Sequence, residues 1–166
     1  MKFELEAELK TEPLFDSVRS VYMIFAAYVK NVKEEFGKDK SMELLTRTFR
    51  QVGEMKGRTL KKYGDGTPLN ANEAYELMKE IPKSLGINFM VPERNNRKIV
   101  VHLDKCPLYE SAESMGLDPS EFCKYSGIPY FDAMAKQLNP HLEYSQIKSK
   151  SSAEDFCEEE LHLTED

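Results

Sequence analysis

Cysteine is scarce in this chain. There are three thiols in 166 residues, an odd number, with no CxxC pair and no short disulfide-type spacing. That excludes a disulfide-stapled scaffold and a thioredoxin-like redox motif. Histidine is equally scarce: His102, His141 and His162 stand apart, with no HxH or HExxH context. The longest apolar run, Ile24-Phe25-Ala26-Ala27-Tyr28-Val29, is far too short to span a bilayer. No basic n-region followed by an apolar h-region opens the chain, so it reads as a cytoplasmic protein with reduced thiols. Excess basic charge is missing too. The formal net charge is −6, which argues against nucleic-acid partners and against adhesion to anionic membranes. Gly64-Asp65-Gly66 lacks the lysine and helix start of a phosphate-binding loop. Internal repeats and low-complexity segments are absent.

What is present is a core-forming pattern. Apolar residues make up 40% of the chain and charged residues 31%, the balance of a well-solvated globular protein. Its length fits one domain. Residues 1–12 alternate charge and apolar character and read as an N-terminal arm, either an edge strand or a helical arm. From Pro13 to Phe36, Leu14, Val18, Val21, Phe25, Tyr28, Val32 and Phe36 form a helical stripe closed by Gly37. That stripe is long enough to bury against a second copy, so a homodimer is expected. A second helix is expected from Asp39, as N-cap, to about Tyr63. Gly53 and Gly57 lie one turn apart inside it, which points to the close approach of another backbone. Asn70 and Glu73 have the spacing of a capping box for a third helix, and Pro82 stops or kinks that helix near Ile81.

The period then changes to two. Ile87, Phe89 and Val91 alternate with Asn88 and Met90, Asn95-Asn96 turns, and Lys98–Leu103 returns, which predicts a β-hairpin over 87–104. A short helix follows Pro107. Asp118-Pro119-Ser120-Glu121 then marks a capped helix start, with Gly127 and Pro129 interrupting the helix beyond it. Strands are predicted at 141–148 and 155–163. In the last one Cys157, Glu159, Leu161 and Leu163 share the face turned to the core. The predicted class is α+β: helices packed on a four-stranded antiparallel sheet made of two hairpins, as a single domain over residues 13–163 with an acidic tail at 164–166.

The candidate chemistry centres on Cys106, Cys123 and Cys157. Free cysteine is among the most buried residue types, so each reads either as core filler or as part of a site. Cys123 lies near a helix N-terminus, where the dipole favours thiolate. A thiolate ligates a metal or attacks an electrophilic carbon. His102 and His141 are the candidate proton donors, and Asp132 is a carboxylate candidate for a base. Phe122, Tyr125, Tyr130 and Phe131 cluster around the helix interruption and outline a ligand pocket, or ordinary core packing.

The pattern Cys106-Pro107-Leu108, Gly116, Cys123, Asp132, Asn139-Pro140-His141-Leu142 and Asp155-Phe156-Cys157 resembles the L-2-amino-thiazoline-4-carboxylic acid hydrolase-like family. The layout is also similar to 4-vinyl-reductase-type ligand-sensing domains, which share a fold with transport-particle subunits. The first resemblance implies a hydrolase that opens a small cyclic carbon–nitrogen substrate of thiazoline-carboxylate type through a cysteine cluster. The second implies a small-molecule or metal sensor without catalysis, with zinc or another thiolate-bound metal on the cysteines. The sensors use a glutamate and a further cysteine on the strand between. Here that strand, Glu143–Ser149, holds no cysteine. The expected partner is a small-molecule ligand or substrate.

Overall fold

The protein is described by a computed structural model that covers residues 2–164, with side chains from Pro13 onward. Helix α1 (Lys2–Phe36) continues through Pro13, so the N-terminal arm is helix rather than edge strand. The side chains of that arm, and residues 165–166 of the acidic tail, lie outside the described residues. A proline removes one amide donor from a helix, and here the helix carries on across that gap.

The stripe of α1 differs from the expected one. Phe15, Ala26 and Val29 are buried, with Tyr22 and Phe25 half-buried beside them, whereas Val21, Ile24 and Tyr28 are 67%, 75% and 63% exposed. The apolar surface of α1 is wider than one contact can cover. The helix is therefore rotated so that Ala26, the smallest apolar residue of its middle turns, meets the neighbouring elements. Gly37 closes α1 with φ at +82°, a conformation that costs glycine nothing, and it also supplies the N-cap of α2 (Lys38–Lys61). Asp39 therefore falls in the first turn, where its charge opposes the helix dipole, rather than at the cap.

The capping box forms as expected. Asn70 Oδ1 accepts from the Glu73 amide, and Glu73 accepts from the Asn70 amide, at the start of α3 (Ala71–Met78). The helix pauses at Lys79, and a single short helix, α4 (Glu80–Ser84), carries Pro82 in its first turns. Strands β1 (Asn88–Arg94) and β2 (Lys98–Lys105) make the first hairpin. Asn95 Oδ1 fixes its turn by accepting from the amides of Arg97 and Lys98. Helix α5 (Pro107–Ser114) begins at Cys106. Helix α6 (Pro119–Tyr125) is capped by Asp118, which accepts from the amides of Ser120 and Glu121. The chain breaks at Ser126 and resumes as α7 (Gly127–Leu138). The second hairpin pairs β3 (Leu142–Lys148) with β4 (Cys157–Leu163).

The sheet order is β1-β2-β4-β3, antiparallel throughout. The two hairpins join through β2 and β4, and α3 and α7 cover one face of the sheet. This is the predicted α+β architecture. Two apolar clusters fill it. One lies between the sheet, α3 and α7, around Ile99, Met134, Leu138 and Leu161. The other lies between α1, α2, α5 and α6, around Ala26, Met42, Leu45 and Phe122. Helix α2 crosses α7 at Gly53 and Gly57, so the glycine pair serves a helix crossing, as its spacing suggests.

Candidate functional site

A cavity of about 630 Å³ opens between the two clusters. Helix α1 contributes Val21, Tyr22 and Phe25, α2 contributes Phe49 and Val52, and α7 contributes Ile128, Tyr130 and Phe131. Leu103 and Glu159 from the sheet, and Cys106 and Cys123, complete the inner wall. Thr48, Lys56 and Ser84 also line the cavity but are exposed residues, so they belong to its rim.

Each reactive group arrives for a local reason. Cys106 is the extended residue between β2 and α5, at the N-cap position of α5. Cys123 lies in the second turn of α6, which Asp118 caps. Glu159 is on the face of β4 that carries Cys157 and Leu161, so strict alternation turns it inward. Its cross-strand partners are Gln146 on β3 and Val101 on β2. The Tyr144 hydroxyl donates to Glu159 Oε2.

Burial governs the ionisation of all three. It pushes the Cys106 thiol up to about 12 and the Cys123 thiol well above its ordinary value. The neighbouring acids reinforce this. Cys106, Glu159 and Cys157 all act on Cys123 in the same direction. Burial raises Glu159 from 4.5 to about 7, against the opposing hydrogen bond from Tyr144. The expected dipole activation of Cys123 is therefore reversed. Helix α6 has seven residues, its dipole is correspondingly weak, and desolvation of the thiolate dominates.

These thiols should consequently react slowly. In the native protein near neutral pH, Cys106 and Cys123 are expected to take up iodoacetamide at least about a hundredfold more slowly than in urea, since only the thiolate attacks. Mass spectrometry of timed samples reads this. Labelling of either residue at the unfolded rate would show that its thiol is not held neutral.

Cys157 does not line the cavity. It is buried beneath β4, opposite Leu103, and accepts from the Lys150 amide at 3.4 Å. All three cysteines are free. Among the described residues no group of three or more His, Cys, Asp or Glu side chains is placed to hold a metal ion. Cys106 and Cys123 share the cavity wall and Cys157 does not, so the three thiols are not gathered into the ligand set that zinc or another thiolate-bound metal needs.

The remaining candidates fall elsewhere. His102 is on the opposite face of β2 from Leu103. It hydrogen-bonds Glu158 at 2.7 Å and stacks on Phe156 with ring centroids 4.0 Å apart. The alternation of β2 thus removes it from the cavity. His141 precedes β3 and is exposed. Its amide donates to Asn139, and its carbonyl accepts from Thr164. Asp132 is buried, but its oxygens tie α7 to β3, with Lys136 Nζ at 2.7 Å and the Tyr144 amide at 3.1 Å. Of the four aromatic candidates, Tyr130 and Phe131 line the cavity. Phe122 is packed against Phe25 in the second cluster, and Tyr125 flanks that cluster. The break at Ser126 lies between the two pairs, with Phe122 and Tyr125 on α6 and Tyr130 and Phe131 on α7.

The residue that sequence reasoning passed over is Glu159. Its inward position was readable from the period of β4. Its importance was not, because one carboxylate among three consecutive glutamates, Glu158 to Glu160, looks like a solvated run.

The family model described as L-2-amino-thiazoline-4-carboxylic acid hydrolase matches residues 18–158, most of the chain. The chain belongs to that family. Membership in the L-2-amino-thiazoline-4-carboxylic acid hydrolase family agrees with the cysteine and Asn-Pro-His pattern. The likeness to 4-vinyl-reductase-type domains rests on sequence layout alone. No curated protein matches the chain. Among solved structures, one similar chain is a trafficking protein particle complex subunit 3 from Naegleria fowleri, covalently bound to palmitic acid. It is 13% identical, with a TM-score of 0.59, over 90% of this chain and 96% of that one. At that identity the likeness shows that this member of the hydrolase family shares the fold. Among the described residues no helix is long and apolar enough to cross a membrane.

Proposed function

We propose that the protein binds an elongated, mostly apolar small molecule in the cavity between α1, α2, α7 and the sheet, with the ligand's polar end at Cys106, Cys123 and Glu159. The observation that carries this reading is the cavity itself. Its volume, about 630 Å³, is that of a site for a drug-sized ligand, and its walls are apolar apart from a few inner polar groups. A ligand there removes a large apolar surface from water, which is the main favourable term for binding of this kind. A protein of the same fold is described as covalently bound to palmitic acid, an apolar chain with one polar end, which supports this ligand class.

The test fills the cavity from α7. In an Ile128→Trp variant, an uncharged fluorescent apolar probe is expected to bind about tenfold or more weakly than to the unaltered protein, a loss of about 1.4 kcal/mol. Unchanged affinity in a variant that keeps its melting temperature would move the ligand site elsewhere.

Family membership favours a hydrolytic use of the same cavity, with opening of a cyclic carbon–nitrogen bond of thiazoline-carboxylate type. Such a reaction needs attack on the amidine carbon and a proton for the leaving atom. Because burial holds the Cys123 thiol protonated, attack by sulfur would need a base, and the Glu159 carboxyl lies on the same wall. The assembly is read as a homodimer across the exposed apolar residues Ile24 and Tyr28 of α1. Its place is read as the cytoplasm, where free thiols persist.

A further inference from the structure

We infer that the polar end of the ligand is cationic, an amine or amidine, and that Glu159 is the residue that selects it. This rests on the cavity being the ligand site and goes beyond it by fixing the ligand's charge.

The argument starts from the polar groups of the wall. Thr48, Lys56 and Ser84 are exposed at the rim, where water and salt screen them. Inside, Cys106 and Cys123 are weak donors and weaker acceptors. Glu159, 8% exposed, is the inner group able to carry a full charge against an apolar wall.

The groups around Glu159 come from every neighbouring element. Tyr144 and Gln146 face it from β3, Cys157 from its own strand, Cys106 from the end of β2 and Cys123 from α6. Tyr22 on α1 adds another acid to this wall. All of these are neutral or acidic. Lys150, a buried cation that acts on the neighbouring Cys157, donates to the Asp104 carbonyl and sits over the Tyr109 ring, and among the described residues no cation is one of the groups that shape the ionisation of Glu159.

The carboxyl has thus already lost its water in folding and lacks a counter-charge. A ligand cation would supply one where the effective dielectric is low and the attraction correspondingly strong. The Tyr144 hydroxyl would hold the carboxylate in place. Only the ligand has still to be dehydrated, so the usual two-sided penalty of a buried ion pair is halved. A neutral ligand gains nothing from Glu159, and an anion is repelled by its ionised form.

The test titrates the full chain, near neutral pH, with phenylbutylamine, phenylbutanol and phenylbutyrate, which share an apolar body and differ in charge. The amine is expected to bind about tenfold or more tightly than the alcohol, and the acid most weakly. Calorimetry in buffers of different ionisation enthalpy is expected to show a net release of protons on amine binding, as Glu159 ionises. In Glu159→Gln the amine's advantage over the alcohol should vanish while the alcohol's affinity holds.

Equal binding of amine and alcohol overturns the inference and leaves the cavity as a ligand site. Binding of none of the three removes both. An amine advantage that persists in Glu159→Gln assigns selectivity to another group and also overturns it.

Discussion

Replacing Gly53 with alanine is expected to destabilise the protein by about 3 kcal/mol or more, although alanine is the better helix former by about 1 kcal/mol. The reason is the α2–α7 crossing. A Cβ at Gly53 would collide with the carbonyl of Tyr130, and one at Gly57 would come within 2.6 Å of the Met134 carbonyl oxygen. A side chain in the way could change rotamer, but a backbone carbonyl inside α7 cannot move without its helix. The collision therefore separates the two helices over several turns and loosens the apolar contacts between them. Because Tyr130 and Phe131 also line the cavity, the same substitution should weaken ligand binding. Urea denaturation measures the first effect. A Gly53→Ala protein as stable as the original would show that the crossing tolerates a methyl group.

The second large effect is expected at Glu159, and its sign depends on pH. Glu159 titrates at about 7 in the folded protein, against an ordinary value of 4.5. Between those two values the folded state keeps a proton that the unfolded chain has released. Stability therefore falls as pH rises from about 4.5 through about 7 and levels off above it. At full effect this is on the order of 3 kcal/mol. Glu159→Gln removes that dependence, since an amide keeps the shape without ionising. The variant is expected to gain on the original protein steadily between about pH 5 and about pH 8. Denaturation midpoints of both proteins across that interval check it. Parallel pH profiles would mean that Glu159 reaches water in the folded state.

Much of the fold was legible in the sequence because its signals are local. Asn70 with Glu73, and Asp118 with Pro119, specify helix starts through hydrogen bonds made within a few residues, and both form as expected. The period of two in Phe89, Val91 and Leu161 placed the strands and their inner faces. The orientation of α1 was not legible. Leu14, Val21 and Phe36 keep helical spacing with Phe25, yet they are exposed, because which side of a broadly apolar helix is buried depends on neighbours that are remote in sequence. The site was half legible for the same reason. The pattern marked Cys106, Cys123, Tyr130 and Phe131, and the fold brings them to one cavity. His102 and Asp132 looked equally chemical, but the alternation of β2 and the Lys136 and Tyr144 contacts engage them elsewhere.

The sheet order has a mechanical consequence. With β1-β2-β4-β3, the strand that carries Glu159 is hydrogen-bonded along both edges, and so is β2, which delivers Cys106. Opening either strand would break two ladders at once. The floor of the cavity is thus an anvil, and room for an incoming molecule has to be made on the helical side, where Val21, Val52 and Lys56 form its doorway.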